Sequence, residues 1–237
     1  MALLLEDGRI VIAFRGTDDS LIGWHEDFLM LCEKTVPAQE SSVHFVEHIA
    51  KLSIPSSLLA DLKNPFIDAS LWQRFKKHFQ YQKQRPLWLV GHSKGGNLAI
   101  YAACFCQTSA QKRIFQVDNF DGPGFHDEIL KSSAYRQMLP YIHSYIPHYS
   151  FFGIVLGHEE NYTVVKSHET GMMQHNAFSW QLQAHHFEVD ELSYESVQFA
   201  IKVILFLEKL SLEEKHQFVE AMFSLFDRLN IYNFSDL

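Results

Sequence analysis

Val90-Gly91-His92-Ser93-Lys94-Gly95-Gly96 follows a short apolar run, Pro86 to Val90, and precedes a helix-like run, Asn97 to Cys106. A Gly-x-Ser-x-Gly between a buried strand and a helix reads as a nucleophile elbow, a turn so tight that the serine is held in a strained backbone conformation. Its neighbours must lack bulk, which accounts for Gly91 and Gly95. Ser93 then stands exposed at the head of a helix, where free N–H groups stabilise negative charge. A hydroxyl that attacks a carbonyl and holds the resulting oxyanion needs that placement. The five-residue pattern alone occurs by chance; the strand before it and the helix after it make it specific. The plain alternative is a Gly-rich strand-to-helix turn without chemistry.

Working outward from the elbow, strands and helices alternate. Ala2 to Leu5 and Arg9 to Phe14 read as a hairpin, with Asp7-Gly8 as its turn. The chain thus begins inside a sheet, which leads to the expectation of strands missing upstream. Asp19 to Leu31 carries Leu21, Ile22, Trp24, Phe28 and Leu31 and reads as a short helix or ordered loop. Ser41 to Leu52 has Val43, Val46, Ile49 and Ala50 at helical spacing, with Pro55 as the stop. Residues 56–84 are polar, with Leu71, Trp72, Phe75 and Phe79 at helix-like spacing; they read as another packing helix, a surface lid or insertion being the alternative. Beyond the elbow, Ile114 to Phe120 is a strand broken by Gly122-Pro123-Gly124. Ser132 to Leu139 reads as a helix, Ile142 to Ile146 and Asn161 to Lys166 as strands, and Gln181 to Val189 as a further alternation. Tyr194 to Leu210 is apolar on most sides and reads as a buried helix. Ser211-Leu212-Glu213-Glu214 is a capping box opening a last helix to about Leu229. The pattern predicts an α/β fold with a mostly parallel central sheet flanked by helices, in a single domain over 1–237.

A serine hydroxyl needs a base within hydrogen-bond reach, and the base needs an orienting acid. In α/β hydrolases the chain order is Ser, acid, His, with the histidine on a loop after the last strands. Of the 14 histidines, His175 in Gln174-His175-Asn176 fits that place, with His168 as the alternative. Each of them viewed alone is more simply a solvated or packing residue. For the acid, Asp121 ends the strand after the nucleophile helix; its plain reading is an Asx turn. Asp118 is a weaker candidate. The oxyanion donors read as the backbone N–H of Lys94 and, from the loop after an early strand, Thr17, through N–H and hydroxyl, with Gly16 permitting close approach. Arg15 and Asp27 read as an ion pair or loop brace.

Composition excludes other classes. Hydrophobic content of 47%, with 20 phenylalanines, supports a sizeable core, and a net charge of −8 argues against a nucleic-acid surface. The three cysteines lack framework spacing and read as reduced core thiols. No apolar run approaches the ~18 residues of a membrane span, and Ala2 to Leu5 is too short for a signal's apolar region. A cytoplasmic location is the default.

Ile12-Ala-Phe-Arg-Gly-Thr17 with Trp24 and Asp27, followed by Gly91-His-Ser-Lys-Gly-Gly96, resembles the class 3 lipase pattern. Over nearly the whole chain, Phe14-Arg-Gly-Thr-Asp-Asp19, Gly23-Trp-His-Glu-Asp-Phe28, Asp121-Gly-Pro-Gly124 and Gln174-His-Asn176 through Ser179-Trp180 resemble the Mbeg-like bacterial proteins of the lipase-like α/β-hydrolase superfamily. The resemblance implies an α/β-hydrolase fold, serine hydrolase activity, Thr17 as an oxyanion residue, and no metal or organic cofactor. The family is longer at its N-terminus. Class 3 lipases carry their acid after the strand that here ends near Tyr149-Ser150, and Ser150 occupies that position; either Asp121 replaces the acid or the triad is incomplete. The expected activity is cleavage of carboxylic esters, lipid esters among them, in view of Phe151, Phe152, Phe178 and Trp180 near the candidate site. Acyl transfer, or a non-catalytic binding module on the same fold, are the alternatives.

Overall fold

A computed structural model describes residues 1–18, 20–52 and 85–233. The expected helix or lid over 56–84, and Pro55, lie outside them. Strands β1 (Ala2–Leu4) and β2 (Ile10–Phe14) form the antiparallel hairpin, with Gly8 supplying the positive φ of 89° that its turn requires. Helices α1 (Leu21–Leu29), capped by the Ser20 hydroxyl, and α2 (Pro37–Lys51) follow. Proline at the first position of α2 starts it four residues before the expected Ser41, because that position needs no N–H donor.

The elbow strand is β3 (Leu87–His92), and α3 (Lys94–Phe105) begins three residues earlier than expected, directly after Ser93. Then come β4 (Ile114–Phe120), α4 (Ser133–Met138), β5 (Ile142–Pro147) and β6 (Tyr162–Val165). The six strands pair in the order β1-β2-β3-β4-β5-β6, and all pairings after the first are parallel. This mostly parallel sheet flanked by helices is an α/β-hydrolase-like topology.

Register explains the core. Ile12, Leu89, Val117 and Ile142 lie side by side across β2 to β5, and all are buried. Each such side chain contributes about 1.5–3 kcal/mol relative to exposure. They pack against Val46 of α2, Ala99, Ile100 and Ala103 of α3, and Tyr135 and Met138 of α4. The same register aligns Phe14, Gly91 and Asn119 near the C-terminal ends of their strands, so the segments that follow emerge at one edge. Open parallel sheets place their ligands at that edge.

Two expectations are corrected. Gln181–Val189 is not one strand but a separate hairpin, β7 (Leu182–Gln183) with β8 (His186–Phe187), because Ala184 takes a positive φ of 58° and turns the chain. The helix α5 (Tyr194–Glu208) is not buried: only Ser196 and Ala200 are fully enclosed, while Phe199, Ile201, Leu205 and Phe206 are exposed. Its apolar run is longer than the one face that meets the body. The capping box at Ser211 opens α6 (Leu212–Arg228), which packs on α1 through Phe223 and Phe28, ring centroids 5.8 Å apart. The three cysteines are free and buried, and burial pushes the Cys106 thiol up to about 12. Among the described residues no helix is long and apolar enough to cross a membrane.

Candidate active site

Ser93 has φ 57° and ψ −136°, a conformation that costs an L-residue about 1–3 kcal/mol and persists only when its surroundings enforce it. The surroundings do so. A Cβ on Gly91 would lie 2.0 Å from the Gly95 carbonyl oxygen, and one on Gly95 would lie 2.3 Å from that of Phe14. Strand, turn and helix therefore meet backbone to backbone. The Ser93 N–H donates to Phe120 O at 2.9 Å, prolonging the β3–β4 ladder by one rung. Its half-buried hydroxyl does not cap α3 and has no hydrogen-bond partner among the described residues. The first N–H groups of α3 have no acceptor within the helix.

Asp121 leaves β4 at the same edge, with φ 52° and its N–H donating to Tyr145 O at 2.8 Å. Its carboxylate is 1% exposed. One oxygen accepts from the Ser150 hydroxyl and from the Gly153 N–H at 3.1 Å; the other accepts from His175 Nδ1 at 2.6 Å. The sequence thus identifies two residues that the fold brings together, Asp121 and His175. It misses the role of Ser150, whose hydroxyl binds that carboxylate.

His175 ends a short 3₁₀ turn, Gly171–His175, and is held from several sides. His92 Nε2 donates to its carbonyl oxygen at 2.6 Å, and burial pulls the His92 imidazole below its usual value. The rings of His92 and Phe152 stand 4.6 and 4.4 Å from its ring. The buried Gln174 side chain accepts from the Tyr149 N–H at 2.9 Å, and its carbonyl oxygen accepts from the Trp180 indole at 2.8 Å. His168 donates its backbone N–H to Ser179 O, and Asp118 accepts from the Trp88 indole at 2.6 Å and from Gln116 on the sheet.

The loop after β2 lies against the elbow: a Cβ on Gly16 would meet the Ser93 Cβ at 3.1 Å. The Thr17 hydroxyl donates to Asp27, which commits it and leaves the Thr17 N–H as the group that residue can offer. Asp27 braces the loop as expected, but its cation is Lys94, at 2.9 Å, rather than Arg15. Lys94 Nζ also meets Glu26 at 2.5 Å. Burial alone would lower the Lys94 ammonium, but these carboxylates more than offset it and hold it above its ordinary value. Burial outweighs the same contacts at Asp27 and pushes its carboxyl up.

Ser93 and Lys94 form part of the wall of a cavity of about 380 Å³, which Trp24, Phe28 and Phe152 and, from α5 and α6, Val203, Leu207 and Val219 also line. Of the four aromatics expected near the site, Phe151 and Phe152 line this cavity. Phe178 is fully solvent-exposed, and Trp180 is buried against Phe120 and Phe187. Among the described residues no group of three or more His, Cys, Asp or Glu side chains is arranged to hold a metal ion. A model of the family described as Mbeg1-like matches residues 1–60 and 67–224. No curated protein gives a match.

Proposed function

We propose that this chain, which belongs to the Mbeg1-like family, is a serine hydrolase of carboxylic esters. Ser93 Oγ attacks the acyl carbonyl, and His175 Nε2 takes its proton and returns it to the leaving alcohol. Asp121 receives the Nδ1 proton of His175 in a hydrogen bond, fixing the tautomer that leaves Nε2 free as the base. The backbone N–H groups of Lys94 and Thr17 stabilise the oxyanion. Water, giving its proton to His175 Nε2, then attacks the acyl carbon, and His175 returns the proton to Ser93 Oγ as the acyl–Oγ bond breaks and the carboxylic acid leaves. The observation that carries this reading is the 2.6 Å bond between His175 Nδ1 and the buried Asp121 carboxylate, at the sheet edge where Ser93 leaves β3. The unbonded Ser93 hydroxyl is compatible with it, because hydrogen bonds to a base are often long in a resting site and tighten with substrate. In this reading Asp121 stands in for the acid that class 3 lipases carry one strand later, and the Ser150 hydroxyl supports it.

A fluorophosphonate probe tests the proposal. Stoichiometric labelling of the wild-type chain, abolished in Ser93→Ala, is the expected result. Absence of labelling in the folded wild type refutes it and favours a ligand-binding module on the same scaffold, the reading that the unpartnered hydroxyl would then support.

A further inference from the structure

The cavity beside Ser93 has a wall that is almost entirely hydrocarbon. Water entering it would find few hydrogen-bond partners, whereas an alkyl chain would lose nothing. We infer that it takes the acyl chain of a straight-chain ester of about ten carbons, and that α5 and α6 set the length accepted. A methylene is about the size of a water molecule, ~30 Å³, so the 380 Å³ cavity holds a chain of that order. The inference rests on the assignment of Ser93 as nucleophile.

Three observations favour the acyl part over the alcohol part and over a polar substrate. The wall contains Ser93, Lys94 and Asp27, on the oxyanion side, and not His175, beside which the leaving alcohol must sit to be protonated. Two of its charges, Asp27 and Lys94, pair with each other and so offer no anchor to a polar acyl group. The remaining one, Lys215, is half-buried and can lay its alkyl stem along the wall with its head in water. Phe206, one of the exposed apolar residues of α5, lines the cavity together with Val203 and Leu207 of the same helix.

The test is a series of p-nitrophenyl esters from acetate to palmitate, read as kcat/KM. The expected result is a rise of up to about fourfold per added methylene, levelling near ten carbons. Val203→Phe and, separately, Leu207→Trp lower the decanoate-to-butyrate ratio by at least about tenfold. A flat series from an enzyme whose Ser93 is labelled by fluorophosphonate overturns the inference and leaves the hydrolase reading standing. An unchanged ratio in both labelled variants overturns the role given to α5. A wild-type chain that neither labels nor hydrolyses any ester removes both.

Discussion

Asp121 keeps its charge out of water by exchanging hydration for three bonds, from Ser150, Gly153 and His175. A buried carboxylate is tolerated only when its lone pairs are met in this way. Asn at this position can match the shape but carries no charge, and its amide can present an N–H to His175 Nδ1 and reverse the tautomer. Asp121→Asn is therefore expected to lower kcat for a short-chain ester by at least about 100-fold with the fold intact. Steady-state kinetics beside a thermal melt checks this, and near-normal turnover would move the acid elsewhere. At this scale the sequence leaves Asp121 ambiguous between an acid and a turn former. Its carboxylate bonds His175, Ser150 and Gly153, while its positive φ of 52° turns the chain and the turn N–H of Gly122 goes to Asn119 instead.

Between residues and the whole stand the elements, and the elbow is where they meet most closely. β3, α3 and the end of β2 approach at distances that only glycine allows at positions 91 and 95. Gly95→Ala places a methyl 2.3 Å from the Phe14 carbonyl oxygen, a backbone atom at the end of β2 that cannot swing aside as a flexible side chain would. The expected loss is about 1–3 kcal/mol of stability, read from urea unfolding; a midpoint equal to wild type would mean that β2 yields more readily than its buried register implies. The glycine spacing is legible in sequence because it reports a local steric demand. The burial of α5 is not, because an apolar helix reads the same whether its faces meet the core, a cavity or solvent.

Across the whole molecule one buried network ties α4, β4, β5 and the Asp121 turn. Glu160 accepts from Tyr135, from Ser144 at 2.8 Å and from His158 Nδ1 at 2.9 Å. Ser144 in turn accepts from Asn119, whose side-chain oxygen receives the Gly122 N–H at 2.9 Å. Burial by itself would raise the Glu160 carboxyl, but the His158 and Tyr135 bonds more than offset it and hold it down at about 2. A carboxyl lowered on folding contributes stability that is complete above its unfolded value and is lost as pH falls toward the folded one. Wild-type melting temperatures should therefore fall between the ordinary glutamate value of 4.5 and about 2, and Glu160→Gln should fall less over that window. Parallel curves for the two proteins would show that Glu160 is not part of the acid response.

The strand, tight turn and helix around Ser93 and the alternation of strands with helices were determined by the sequence alone, because helix caps and glycine crowding act over a few residues; the order of the strands in the sheet was not. The pairing of Asp121 with His175, 54 positions later, was decided by tertiary structure. So was the use of Ser150 as a partner of the carboxylate rather than its replacement. The parallel register of β3, β4 and β5 brings the ends of those strands to one edge. Which side chains meet there depends on how far each loop reaches back across it, a distance that no local pattern encodes.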